Sequence, residues 1–176
     1  MILLVGLLYT LTIAGFAVSG AAPMIPAWIE IPAQNFYFWE LFFALPTFLL
    51  AWILSAAAAH LLGHSEKAAA KPSFAKSLAA QGFAIALPLL ATWIPATTAA
   101  VLMLLGLGQV ELVDILSAPG FWQGFALFWL IAAILWVFLL FVTVASAVHE
   151  SRFLKALLSS LVSVAVFVAV LAAIIR

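Results

Sequence analysis

The histidines of this chain are its best candidates for chemistry, because two of them are separated by four residues. His60 and His64 share one face if a helix continues through Gly63, and His149 with Glu150 follows a later apolar segment. Imidazoles and a carboxylate that converge can ligate zinc or another divalent metal. The sequence has no His-Glu-x-x-His pattern to support such a site. We therefore expect no cofactor and interpret these residues as polar caps at helix ends, with the metal site as the alternative.

Glu40 is the one acidic residue inside a long apolar segment. A carboxylate within the membrane is a candidate for a proton relay or a substrate contact. Glu40 follows Trp39 near the start of its segment, where water and the helix dipole both favour an acid. We interpret it as an interfacial residue at a helix start and keep the relay as the alternative.

The basic residues are concentrated in two short stretches between apolar segments. These residues are Lys67, Lys71 and Lys76 in the first stretch and Arg152 and Lys155 in the second. The intervening connections carry only acids, namely Glu30, Glu111 and Asp114. Cytoplasmic loops retain Lys and Arg, so the alternation predicts an integral membrane protein with both basic stretches inside the cell. The same side chains could hold anionic headgroups at ~1 kcal/mol each, although ordinary topology also explains them.

The composition excludes an ordinary soluble domain. Hydrophobic residues make up 69% of the 176 and charged residues 7%, against roughly 45–50% and roughly 25% in soluble domains. The net charge is zero, so no basic field attracts nucleic acid. There is no cysteine, which removes disulfides and thiolate sites.

The apolar segments predict an all-α transmembrane bundle that forms a single domain over residues 1–176. A crossing needs about 20 apolar residues. Five segments qualify: 2–22, 36–62, 74–95, 121–148 and 156–175. Ala96–Leu107 reaches only ~18 Å, so we expect a short interfacial or re-entrant helix after Pro95. Five crossings place the N-terminus inside and the C-terminus outside. They also put four tryptophans near the outer face: Trp28, Trp39, Trp93 and Trp122.

The first segment also has features of a signal peptide. Ala17–Gly20 is similar to a small-residue cleavage site. However, no Lys or Arg precedes the segment, and it exceeds the usual core of ~7–15 residues. We expect a retained anchor.

Small residues recur at helical spacing and predict close helix packing. They are Ala51, Ser55, Ala59 and Gly63 in the second segment, and Ala165, Ala169 and Ala173 in the fifth, with Ser159 and Ser163 on a neighbouring stripe. We expect seams within one molecule. A homo-oligomer or another membrane-protein partner is the alternative use.

Several short stretches resemble the Yip family of five-span membrane proteins, which are named for interacting with Ypt/Rab GTPases. The similar stretches are Phe38–Pro46, Ala59–Gly63, Ser73-Phe74, Ala86–Pro88 and Val148–Leu157. The resemblance covers roughly residues 36–176 and implies a non-catalytic role in membrane organisation or trafficking. Eukaryotic members have a long cytosolic region before the first span, whereas this sequence begins directly with its first apolar segment. We therefore do not expect a GTPase partner. The Ala/Leu-rich composition indicates a prokaryotic cytoplasmic membrane.

Three functional hypotheses follow. The first is a non-enzymatic scaffold or organiser of lipid, favoured by apolar midplanes and by the resemblance. The second is a transporter or channel component that uses Glu40 and bends at Pro46 and Pro88. The third is a metal-dependent membrane enzyme that uses the histidines.

Overall fold

The computed structural model describes residues 1–23, 31–63 and 72–174, and over these ranges the chain is helical with no strand. Its helices are α1 (Ile2–Val18), α2 (Phe36–Gly63), α3 (Phe74–Leu104), α4 (Gln109–Ser117), α5 (Phe121–His149) and α6 (Phe153–Ile174). A 3-10 turn, Ala33–Asn35, leads into α2. The predicted all-α bundle is confirmed. His64, Glu66, Lys67 and Lys71 lie outside the described residues, as do Trp28, Glu30 and Arg176.

Four helices of the described part are long and apolar enough to cross a bilayer: α2, α3, α5 and α6. The best 18-residue windows of these helices have mean hydropathies between 1.7 and 2.8. The 17 residues of α1 reach only ~25 Å, at the lower end of the ~17–25 residues that span a bilayer. The described bundle therefore has four helices long enough to cross a membrane and a shorter apolar helix beside them.

The predicted end of the third helix at Pro95 is wrong, and so is a separate helix over residues 96–107. Helix α3 runs through both Pro88 and Pro95 to Leu104. Each proline removes only one backbone donor, and neighbouring helices compensate inside a membrane. The helix ends at Leu104 because Gly106, with φ +103°, follows in a Schellman motif in which Leu107 N donates to Leu102 O at 3.1 Å. The short helix after the third span exists, but it is α4.

Two further boundaries differ from prediction for the same kind of reason. Helix α1 ends at Val18 rather than at residue 22, because Gly20 has φ +72° and Ala21 N donates back to Phe16 O at 3.0 Å. Helix α6 begins at Phe153, three residues earlier than predicted. Hydrogen bonds at the termini, which composition does not reveal, decide both positions.

The long helices form a closed ring in the order α1, α2, α6, α5, α3, with α2 and α3 also in contact across it. Its core is built from Val5, Ala51, Ile85, Phe141 and other buried apolar side chains. Helix α5 contributes least, since its buried residues begin only at Ala133. The first half of α5 therefore has no buried residue.

Polar side chains join α1 to α3 within the apolar region. Tyr9 Oη lies 2.6 Å from Thr92 Oγ1, and Thr12 Oγ1 lies 2.7 Å from Thr97 Oγ1. Trp93 Nε1 donates to Leu8 O at 3.0 Å. Trp93 lies 11 residues before the end of α3, and its place in an interfacial belt stays a prediction. Its indole joins α1 to α3.

The small-residue face of α2 packs as predicted, whereas that of α6 does not. Ala51, Ser55, Ala59 and Gly63 are all buried. In α6 the buried stripe is Ser159, Ser160, Ser163 and Phe167, while Ala165 and Ala169 are exposed. The reason is a hydrogen bond across the seam, from Ser163 Oγ to Ser55 O at 3.0 Å.

The described basic side chains lie at one end of the bundle, where α2 and α5 finish and α3 and α6 begin. We call it the basic end, defined by Lys76, Arg152 and Lys155. The N-terminus lies at the same end, because Met1 and Ile2 border Gly82 and Phe83 of α3. Glu111 and Asp114 of α4 lie at the opposite end.

Candidate functional site

An imidazole pair lies at the basic end. The ring centroids of His60, near the end of α2, and His149, the last residue of α5, are 5.9 Å apart at an interplanar angle of 60°. His60 Nδ1 lies 3.0 Å from Ser77 Oγ, and its ring meets Phe74 edge-on at 5.6 Å. His60 therefore connects the end of α2 to the start of α3 and to the end of α5.

The close approach of α2 and α5 depends on Gly63. A Cβ atom at residue 63 would lie 2.9 Å from Cδ2 of His149 and 3.1 Å from its Cγ. His149 is completely buried. Gly63 thus acts as the surface on which the His149 ring packs, and α2 continues through it rather than ending before it.

The predicted metal candidates are brought together only in part. His60 and His149 are neighbours, whereas Glu150 caps α5 with φ +49° and is exposed. His64 lies outside the described residues. Within the described ranges no group of three or more His, Asp or Glu is placed to hold a metal. The pair alone supplies two of the three or four protein ligands of a zinc site, so the metal site stays a prediction.

The basic side chains begin helices at the same end of the bundle as this pair. Lys76 is in the first turn of α3, next to the residues that contact His60, and Arg152 and Lys155 begin α6 just after His149. All three are exposed. Large apolar side chains accompany them, since Phe74, Phe153 and Leu154 are also exposed. The basic end thus carries cations beside apolar anchors, as an interfacial surface does.

Buried polar residues continue from the imidazole pair into the bundle, and these were missed from the sequence. Gln81 is 1% exposed, and its Nε2 has no hydrogen-bond partner among the described residues. It lies one turn beyond Ser77 on the same face of α3, so the i, i+4 spacing of Ser77 and Gln81 is the signal that could have revealed it. An unsatisfied amide in a bundle core is costly and indicates a specific local requirement.

Glu40 is buried near the start of α2. Only 3% of it is exposed, on the second turn of α2. Pro46 lies further along the same helix, and Pro88 lies buried in α3. The carboxylate is thus packed inside the bundle, where we had expected contact with water, and its assignment to the membrane interface stays a prediction.

A large apolar cavity lies near the opposite end, between α3, α4 and α5. Its volume is about 820 Å³, within the ~300–1,000 Å³ that is typical of ligand pockets. Pro95, Ala99 and Leu102 line it from α3, and Ala126 and Trp129 from α5. The sequence did not reveal this cavity, because its wall on α3 falls in the stretch that we assigned to a separate short helix.

Comparison of the chain with protein families, with curated proteins and with solved structures finds no match. The resemblance to the Yip family therefore stays a prediction.

Proposed function

We propose that this protein is a non-catalytic integral membrane protein that organises anionic lipid at its basic end. The observation that carries the proposal is the position of Lys76, Arg152 and Lys155, exposed together at the end of the bundle where the imidazole pair lies. The positive-inside rule assigns this end to the cytoplasmic face. Lys67 and Lys71 follow α2 in the chain and add two further cations to the same connection.

The physical basis is electrostatic attraction to acidic headgroups. Each Lys or Arg near an anionic surface contributes ~1 kcal/mol, and the effect declines within a Debye length. Phe153 and Leu154 lie between Arg152 and Lys155 in sequence, and their exposed side chains anchor this turn in the interface. A prokaryotic, Yip-like scaffold or trafficking role agrees with such a surface, because it needs a stable membrane platform and no reaction centre.

The test measures lipid selectivity in liposomes that contain phosphatidylcholine and phosphatidylglycerol. Electron spin resonance of spin-labelled lipids reports the fraction of each lipid that is immobilised on the protein. We expect phosphatidylglycerol to be preferred. The triple variant Lys76→Ala, Arg152→Ala, Lys155→Ala should lose most of that preference, since up to ~3 kcal/mol of attraction is removed.

The matched control is the double variant Glu111→Gln, Asp114→Asn, which changes the charge at the opposite end and should keep the preference. An unchanged preference in the triple variant would contradict the proposal. Solute flux or substrate turnover by the wild-type protein in the same liposomes would contradict its non-catalytic part.

A second candidate, a transporter or channel component, is favoured by the burial of Glu40 in a membrane-spanning helix. Carboxylates at such positions commonly belong to proton or substrate pathways. Flux in proteoliposomes that disappears in Glu40→Gln and persists in the exposed-acid variant Glu111→Gln would support it. The absence of flux in the wild-type protein would eliminate it.

A further inference from the structure

We infer that a small groove near the basic end binds one anionic phospholipid, with the phosphate at Lys76 and the upper part of one acyl chain against Phe83. The inference rests on the proposed function, because it assigns part of the lipid preference to a single site. We call this place the α3 groove, and its lining residues come from α1, α2 and α3: Met1, Ile2, Trp52, Ala79, Gly82 and Phe83.

The α3 groove is small, and its wall is held by a hydrogen bond. Its volume is about 240 Å³, below the ~300–1,000 Å³ of pockets that enclose whole ligands, so it admits a segment of one acyl chain. Trp52 Nε1 donates to Leu78 O at 2.8 Å, which fixes the indole against α3. A Cβ atom at residue 82 would lie 3.2 Å from Trp52 Nε1, so Gly82 is what lets the ring approach this closely.

The walls of the α3 groove suit an apolar occupant. The side chains of Ile2, Ala79 and Phe83 carry no polar atom, and the indole N–H of Trp52 is already bonded to a carbonyl. Phe83 is 57% exposed, so the groove opens to the surroundings of the bundle rather than to its core. Because α3 is long and apolar enough to cross a membrane, those surroundings are acyl chains.

Lys76 places a positive charge at the mouth of the α3 groove. It precedes Ala79 by three residues and Phe83 by seven, so the three share one face of α3. Long side chains on a helix point back toward its N-terminus, which for Lys76 is the direction of the headgroups. Within the described ranges the acid at this end is Glu150, which caps α5 rather than α3. A lipid phosphate is therefore the counter-charge that suits Lys76.

The depths of Lys76 and of the α3 groove match the two parts of a phospholipid. The 31 residues of α3 span ~46 Å, so ~8 Å project beyond each side of a ~30 Å hydrocarbon core when the helix is centred. Lys76 lies ~3 Å from the start of α3, within the headgroup region. Ala79 and Phe83 lie ~8 Å and ~14 Å from that start, at the hydrocarbon boundary and just below it. A phosphate at Lys76 thus leaves the first carbons of a chain in the groove.

A second copy of the chain suits the α3 groove less well than a lipid. A helix with its side chains is ~10–12 Å across and is too wide for a groove of about 240 Å³. Two copies in one membrane also have the same orientation, so their basic ends would face each other. Lys76, Arg152 and Lys155 of the two copies would then repel.

The experiment uses the full chain in phosphatidylcholine liposomes that contain a trace of a photolabelling lipid. Two probes carry the same diazirine near the carboxyl end of one acyl chain, one with a phosphatidylglycerol and one with a phosphatidylcholine headgroup. After irradiation, mass spectrometry measures the labelling of each residue. We expect the phosphatidylglycerol probe to label Phe83 severalfold more strongly than the phosphatidylcholine probe. Phe128, an exposed residue of α5, should be labelled equally by both.

Two variants separate the charge from the groove. Lys76→Gln should reduce the ratio of phosphatidylglycerol to phosphatidylcholine labelling at Phe83 about fivefold, the factor that corresponds to ~1 kcal/mol per Lys at an anionic surface. Lys76→Arg keeps the charge and should keep the ratio. Ala79→Phe fills the groove and should reduce labelling of Phe83 by both probes severalfold. Ala132→Phe, at an exposed position of α5, is its matched control and should label like the wild-type protein.

Three results would overturn the inference: equal labelling of Phe83 by the two probes, labelling of Phe83 that Lys76→Gln and Ala79→Phe both leave unchanged, and crosslinks that join Phe83 of two copies. The last would assign the groove to a second chain. The proposed function fails on a different measurement, the spin-label preference of the triple variant. Loss of that preference together with equal labelling of Phe83 would retain the proposed function and overturn this site alone.

Discussion

The backbone of Gly63 lies directly against the imidazole of His149, with room for a hydrogen atom and none for a methyl group. A Cβ atom at residue 63 would come within 2.9 Å of His149 Cδ2. This contact joins the end of α2 to the end of α5 and buries His149 completely. The geometry of the basic end therefore depends on the absence of a side chain at one position.

Gly63→Ala should destabilise the protein by about 1–3 kcal/mol, the usual cost of overpacking a well-filled site. Unfolding titrations with sodium dodecyl sulfate in mixed micelles measure the change. Gly124→Ala in α5 is the control, because a Cβ atom there has no neighbour within 4 Å. It should be neutral or stabilising by up to about 1 kcal/mol. Equal stability of Gly63→Ala and the wild-type protein would show that the two helices separate easily.

Gly106→Ala should also be destabilising, for a conformational reason. Gly106 has φ +103°, and no atom lies near its Cβ position, so the cost is backbone strain of about 1–2 kcal/mol. Gly108 is its matched control, since it has φ −65° and equally open surroundings. Gly108→Ala should leave the unfolding midpoint unchanged. Similar effects of the two variants would contradict the assignment of the α3 terminus to Gly106.

Tyr9→Phe should weaken the packing of α1 on α3 by removing the hydroxyl that contacts Thr92 Oγ1 at 2.6 Å and Leu89 O at 3.3 Å. Hydrogen bonds between membrane helices average ~0.6 kcal/mol and reach ~1.7 kcal/mol. The same unfolding titration measures the loss. A double-mutant cycle with Thr92→Val should give a coupling energy of this size. Strictly additive effects of the two variants would mean that the contact contributes nothing.

Gln109→Ala should release α4 from the segment after α1, because both hydrogen bonds to Ala22 disappear. A net hydrogen bond contributes ~0.5–1.5 kcal/mol, so amides of α4 should exchange with deuterium faster by roughly one to two orders of magnitude. Hydrogen exchange with peptide mapping over residues 109–117 measures this. Gln123→Ala, in the first turn of α5, serves as the control. Unchanged exchange in α4 would show that packing on α5 alone holds it.

Much of the architecture could be predicted from composition, because lipid imposes one solution on a long apolar segment. The start of α2 at Phe36 and that of α5 at Phe121 agree with prediction. The end of α3 does not agree with prediction, because we expected Pro95 to end the helix as proline commonly does in soluble proteins. Inside a membrane its lost hydrogen bond is tolerated, and the left-handed conformation of Gly106 ends the helix.

The candidate site was less predictable, because it is made of contacts between distant segments. The sequence pointed to His60 and His149 but not to the packing of Gly63 on the imidazole. We expected Glu40 to contact water because it follows Trp39, yet its side chain is buried. The position of a residue along the chain does not reveal which side of its helix faces the bundle. Gln81 was not identified as a candidate from the sequence, because it is a single polar residue in an apolar stretch.

What the sequence determined by itself is the all-α class of this protein and the four helices that are long and apolar enough to cross a membrane. Both depend on sums over many residues, so local errors of a few positions do not change them. Only the tertiary structure decided that Ser163 rather than Ala165 faces α2, and that α3, α4 and α5 line a cavity. These features depend on the rotation and spacing of helices, which arise from close packing and single hydrogen bonds rather than from average hydropathy.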